Sequence, residues 1–187
     1  MRFSLLTRSR EDFINAGIGF GEAFKSQCQA ETPWVVALNG NMNTGKSLIA
    51  LAIDKAFRPE EYLEGITKSH SADRLYPKKG QETDFPVSFD NYVGEVFATR
   101  ERLDNAISDF ARDCPHSKVL IASNIRRTHS EHFNYNAQGL NSDLLNMNII
   151  VTCKSSGPFW RNMNITVEHE PLIKALQSNL PALTVIS

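Results

Sequence analysis

Residues 40–47 read Gly40-Asn41-Met42-Asn43-Thr44-Gly45-Lys46-Ser47 and fill every fixed position of the pattern G-x-x-x-x-G-K-[ST]. Glycines at those positions let the backbone curl so that successive N–H groups converge on phosphate oxygens. A helix starting at the same place adds its positive end. Lys46 brings a full positive charge for the β- and γ-phosphates, and the Ser47 hydroxyl is a hard oxygen ligand of the kind Mg²⁺ takes. The backbone from Gly40 to Leu48 is therefore the expected cradle, with Mg²⁺ and ATP as the expected cofactors. Asn41, Met42, Asn43 and Thr44 stand at variable positions, so the loop alone does not choose between ATP and GTP.

Other residues fit around that cradle. Asp90 closes the alternating apolar stretch Phe85–Asp90 and is the expected second holder of the metal, directly or through water, beside Ser47. Asp84 and Glu95 compete for the role, and an ordinary loop acid is the plainer alternative. Ser123 and Asn124 end an apolar strand, where open α/β sheets form their binding crevice; Asn124 is expected to orient a water or touch the γ-phosphate, against a plain strand-ending turn. Arg126, with Arg127 next to it, is a candidate finger on the transferring phosphate, because a guanidinium is planar and always charged. The expected catalytic set is thus Lys46, Asp90, Asn124 and Arg126. His129 and His132 share a polar stretch with no identifiable third ligand and read as solvated. Phe159 and Trp160 could stack on an adenine or simply pack.

The elements that must position these groups follow from periodicity. Arg10–Gln29 carries Phe13, Ile14, Gly17, Phe20, Ala23 and Phe24 at helical spacing. Trp34–Leu38 is an apolar strand feeding the loop, and Ser47–Phe57 a helix that stops before Pro59. The spacing then predicts a short helix at 59–64 inside a polar excursion over 58–84, which carries Arg74, Lys78 and Lys79 and reads as a lid or loop. A strand is expected at 85–90, a helix over Arg100–Asp113, a central strand over Lys118–Asn124, a short helix at Asp143–Met147 and a strand over Asn148–Cys153. Asn164–Glu168 reads as a further strand, Pro171–Asn179 as a last helix and Leu183–Ile186 as a terminal edge strand. Strands alternating with helices argue for an α/β fold, one P-loop nucleotide-binding domain over residues 1–187 with a mostly parallel sheet flanked by helices.

Composition agrees with that class. The chain has 187 residues, 41% hydrophobic and 22% charged, and a net charge of −1. Such a balance gives no reason to expect direct nucleic-acid binding or a membrane surface as partner. No apolar run approaches the ~20 residues of a membrane span, and the N-terminal apolar stretch is too short for a secretory signal. Cys28, Cys114 and Cys153 are far apart, without a C-x-x-C pair, and read as reduced thiols of a cytoplasmic protein.

The first half of the chain resembles the TsaE-like P-loop proteins, the bacterial ATPases that support threonylcarbamoyl modification of tRNA adenosine. The likeness rests on a helix ending Gly21-Glu22-Ala23-Phe24-Lys25, on the strand and loop Val36–Ser47, and on Ser88-Phe89-Asp90-Asn91-Tyr92, which is similar to that family's His-Phe-Asp-x-Tyr-Arg. It implies a Mg²⁺-dependent ATPase in tRNA processing, activated by a protein partner, with Asp90 as the functional acid. Ser88 and Val93 stand where the family has His and Arg, and Ser123-Asn124 where it has a Glu-Trp pair. The resulting expectation is a slow ATPase that needs a partner or acceptor substrate. A small P-loop kinase and a non-hydrolysing regulatory module remain as alternatives.

Overall fold

The structure, a computed structural model, describes residues 1–27, 33–41, 43–67, 85–90, 100–124, 144–153 and 159–186; of residues 90, 100–103, 106 and 124 only the backbone is described. Among these residues seven strands form one mixed sheet: β1 (Arg2–Thr7), β2 (Trp34–Gly40), β3 (Val87–Asp90), β4 (Val119–Asn124), β5 (Met147–Cys153), β6 (Arg161–Val167) and β7 (Thr184–Ile186). Their order is β3-β4-β2-β5-β6-β1-β7. The first four run parallel and the remaining pairings are antiparallel. The parallel character is thus confined to the half of the sheet that carries the loop, and the expected mostly parallel sheet is a mixed one.

Among the described residues four α-helices cover the sheet: α1 (Arg10–Gln27), α2 (Lys46–Phe57), α3 (Arg100–Asp113) and α4 (Glu170–Asn179). Alternate side chains of the strands divide the core in two. Val36, Leu38, Phe89, Ile121 and Ile165 face a cluster shared with α1, α2 and α4, whereas Val35, Leu120 and Ala122 face Ile107 and Phe110 of α3. Helix α1 starts from a capping box. The Ser9 hydroxyl accepts from the Asp12 N–H at 3.0 Å and the Asp12 carboxylate accepts from the Ser9 N–H at 3.1 Å. Its Gly17 and Gly21 then let α2 come close, since a Cβ at either would lie 2.4 Å from the Ala52 Cβ or 2.5 Å from the Ala56 Cβ.

The far end of α2 is tied off by a buried carboxylate. Asp54, fully buried, accepts from the Arg58 guanidinium at both oxygens and from the Tyr62 hydroxyl. Burial works against the charge on Arg58, but hydrogen bonding and attraction from Asp54 outweigh it and raise the Arg58 pKa. This network seats the short 3-10 helix Pro59–Tyr62, the first part of the helix expected at 59–64.

Three local expectations are corrected. Residues 2–7 form β1, with Phe3, Leu5 and Thr7 buried, where the sequence had suggested no element. Strand β6 begins at Arg161 rather than Asn164. Residues 144–147 are not helical: Asn146 donates from its backbone to the Val35 carbonyl at 2.9 Å and accepts the Val35 N–H on its side chain at 2.8 Å. Those two bonds to β2 draw the chain straight into β5, and the position of residue 143 lies outside the described residues.

Candidate functional site

Strand β2 runs into its loop through Gly40, which has φ +148° and whose added Cβ would lie 2.5 Å from the Val151 carbonyl oxygen. Asn43 takes φ +62°, a left-handed conformation that asparagine tolerates. Gly45 follows with φ +99° as the N-cap of α2, and a Cβ there would lie 2.7 Å from the Phe13 ring. The turn is thus held between β5 on one side and α1 on the other, and two of its backbone conformations demand glycine. No side chain caps α2 and no acidic residue stands in its first turn. A helix end of that kind presents its N–H groups and its positive dipole to whatever sits before it.

Lys46, the first residue of α2, is only 7% exposed. Its ammonium donates to the Gly40 carbonyl at 2.8 Å and to the Asn41 carbonyl at 2.7 Å, and among the described residues it has no carboxylate partner. Burial pushes its pKa down, an effect partly offset by the Cys153 sulfur. The Thr44 hydroxyl donates to the Asn41 carbonyl at 2.9 Å and closes the turn internally. A buried cation held by carbonyl dipoles at the positive end of a helix is a local excess of positive potential, suited to a polyanion.

The structure brings Gly40, Asn41, Asn43, Thr44, Gly45, Lys46, Ser47 and Leu48 together around the head of α2, with Ser47 and Leu48 half-buried in its first turn. Met42 lies outside the described residues. Asp90 and Asn124 end β3 and β4 at the same carboxyl edge of the parallel strands as Gly40: Asn124 pairs with Asn39, and Asp90 with Ala122 one strand further out. Their side chains lie outside the described residues, as do Asp84, Glu95, Arg126, Arg127, His129, His132 and the three cations of the 58–84 excursion. Among the described residues no group of three or more His, Cys, Asp and Glu could hold a metal ion. Ser123, 1% exposed, alternates with Val119 and Ile121 of the α2-facing cluster. Among the described residues its hydroxyl has no hydrogen-bond partner. A buried hydroxyl without a partner carries a desolvation cost that a ligand or water would relieve.

Sequence reasoning missed Arg161. Its Nε donates to the Thr44 carbonyl at 3.0 Å and Nη1 to the Trp160 carbonyl at 3.1 Å, while the guanidinium lies 5.3 Å from the centre of the Phe159 ring. Beside it the Arg8 guanidinium lies 5.5 Å from the Trp160 ring centre, so both aromatics have cationic packing partners. The signal was present in the alternation Arg161-x-Met163-x-Ile165-x-Val167, which sets the arginine in one row with three core residues.

No protein-family model and no curated protein matches the sequence. Among solved structures, the crystal structure of Bacillus subtilis YdiB aligns with 96% of this chain and 94% of its own at 12% identity, with a TM-score of 0.48. That is a distant structural relationship and carries no weight for the chemistry of the site.

Proposed function

We propose that the Gly40–Leu48 turn binds the phosphates of a nucleoside triphosphate, ATP with Mg²⁺, and that the protein is a slow ATPase. The observation that carries the reading is Lys46, a buried ammonium held by two loop carbonyls at the head of an uncapped helix, with no carboxylate partner among the described residues. On binding, it would exchange those carbonyls for β- and γ-phosphate oxygens, while the loop N–H groups take the remaining lone pairs. Ser47 and Asp90 would hold Mg²⁺, which would neutralise charge developing on the phosphates. Asn124, next to the buried Ser123 hydroxyl, would orient the attacking water, and Arg126 would meet the transferring phosphate.

Slow turnover follows from what the sequence lacks: no acid ends β4 and no arginine follows Asp90 within the motif that resembles the TsaE-like pattern. Phosphoryl transfer depends on charges aimed at the transition state, and one missing arginine is worth roughly 10³–10⁵ in rate. A protein partner or acceptor in the cytoplasm would supply the rest, and the resemblance points to tRNA modification as its setting, without direct nucleic-acid contact by this chain. The Ser123-Asn124 strand end also favours a second reading, a regulatory module that binds nucleotide without turning it over. Calorimetry with ATP and ADP, with and without Mg²⁺, should give metal-strengthened ATP binding. Phosphate release should be measurable yet well below the ~10 s⁻¹ typical of enzymes. Binding with no release selects the module, release only with an added acceptor selects a kinase, and no binding at all overturns the proposal.

A further inference from the structure

Gly45 imposes little backbone preference of its own, so the orientation of the peptide joining Thr44 to Gly45 must be set from outside. No peptide bond among the described residues is cis, and in a trans peptide the C=O and N–H point in opposite directions. Whatever fixes the Thr44 carbonyl therefore also aims the Gly45 N–H. The group that fixes it is Arg161, whose Nε donates to that carbonyl at 3.0 Å across 117 positions of sequence.

Arg161 is well prepared for such a role. Its backbone is registered against Thr7 on one side and Cys153 on the other, so its Cα cannot drift. Its guanidinium lies 5.3 Å from the centre of the Phe159 ring and Nη1 is held by the Trp160 carbonyl, which removes rotamer freedom before any ligand arrives. It begins the row continued by Met163, Ile165 and Val167, which lie in the same cluster as α1 and α2. That row leads it to the head of α2 rather than to solvent.

We propose that Arg161 is a positioning residue for the anion site: by holding the Thr44 carbonyl it turns the Gly45 N–H toward a phosphate oxygen seated in the Gly40–Lys46 loop. The inference rests on the phosphate-binding reading of that loop and deepens it. It also adds a fixed positive charge behind the loop, one that Lys46 does not supply.

The test uses the full chain, with ADP and pyrophosphate as probes and the Gly45 amide resonance as reporter. Arg161→Met keeps the aliphatic stem and removes the donor. It should weaken binding of both probes roughly tenfold and shift the Gly45 amide in the ligand-free chain, while the circular dichroism spectrum stays that of the parent. Arg161→Lys, which restores a charged donor, should recover part of the affinity and move the Gly45 amide back. Should the methionine chain not fold, Arg161→Gln takes its place with the same readouts. Parent-like affinity with an unmoved Gly45 amide overturns the inference, as does a lysine variant no better than the methionine one. A parent chain that binds neither probe instead overturns the phosphate-site reading itself.

Discussion

The two ends of helix α2 both bury a charge, and they treat it in opposite ways. At the C-terminal end the Asp54 carboxylate is surrounded by its own partners: the Arg58 guanidinium on both oxygens and the Tyr62 hydroxyl. At the N-terminal end the Lys46 ammonium meets, among the described residues, only carbonyl dipoles, at Gly40 and Asn41. The first charge is complete within the chain and fixes the course of residues 58–62. The second has no counter-charge among the described residues and retains there an excess of positive potential suited to an anion. A buried charge with its counter-charge built in is architecture, and one seen only against neutral dipoles is a candidate for binding.

Exchanging lysine for alanine breaks the comparison most directly. Lys46→Ala should lower ATP affinity by two orders of magnitude or more, because the bound phosphates lose their charge-assisted partner inside a low-dielectric turn. The ligand-free melting temperature should stay level or rise, since a cation that burial desolvates is removed. Calorimetry and thermal melts on the same sample check both halves. Unchanged affinity would remove Lys46 from the site, and a fall of ten degrees would make it architecture after all.

The mirror-image substitution has the opposite profile. Asp54→Ala leaves Arg58 and Tyr62 without their shared acceptor, and breaking a buried pair from one side costs about 3 kcal/mol. Denaturant melts should register that loss, whereas nucleotide affinity of the folded fraction should stay within about threefold of the parent. Tyr62→Phe, removing one hydrogen bond to a charged group, should cost about half as much. An Asp54 variant that kept full stability but lost nucleotide binding would show that the two ends of α2 are coupled.

The same contrast explains what could be read from the chain itself. The Gly40–Ser47 turn was legible because its chemistry depends on fixed local spacing, and helices α1, α2, α3 and α4 because apolar residues recur along each. Strand β1 was not, since Arg2 and Arg8 flank a short alternating run whose burial depends entirely on β6 and β7 arriving from the other end of the chain. The expected helix at 143–147 gave way to β5 through two hydrogen bonds between Asn146 and Val35, 111 positions apart. Arg161 reaches Thr44 over a similar span, and Asp54 looked like any polar residue on a helix until Arg58 and Tyr62 folded back on it. Local spacing reports local chemistry; partners brought together by the sheet leave no mark on spacing.

The smallest expected effect tests the electrostatics of Lys46 alone. Burial lowers its pKa in the ligand-free chain, with Cys153 giving back part of the shift, so the ammonium begins to lose its proton below the ordinary lysine value of about 10.4. Bound phosphates favour the charged form and raise that pKa, so binding takes up a proton between the two values. ATP affinity should therefore fall as pH climbs through the ligand-free value, by at most tenfold per pH unit. Folding stability should move the other way. With the folded pKa below the unfolded one, the unfolded chain holds more protons over that interval, and stability rises with pH across it. Other groups titrate in the same range, so the quantity to measure is the difference between the parent and Lys46→Ala, in melts for stability and against pyrophosphate for binding. A parent whose affinity holds up to the ordinary lysine pKa would show that the ammonium is not desolvated. A difference in stability of the opposite sign would mean that the two carbonyls of Gly40 and Asn41 already more than offset its burial.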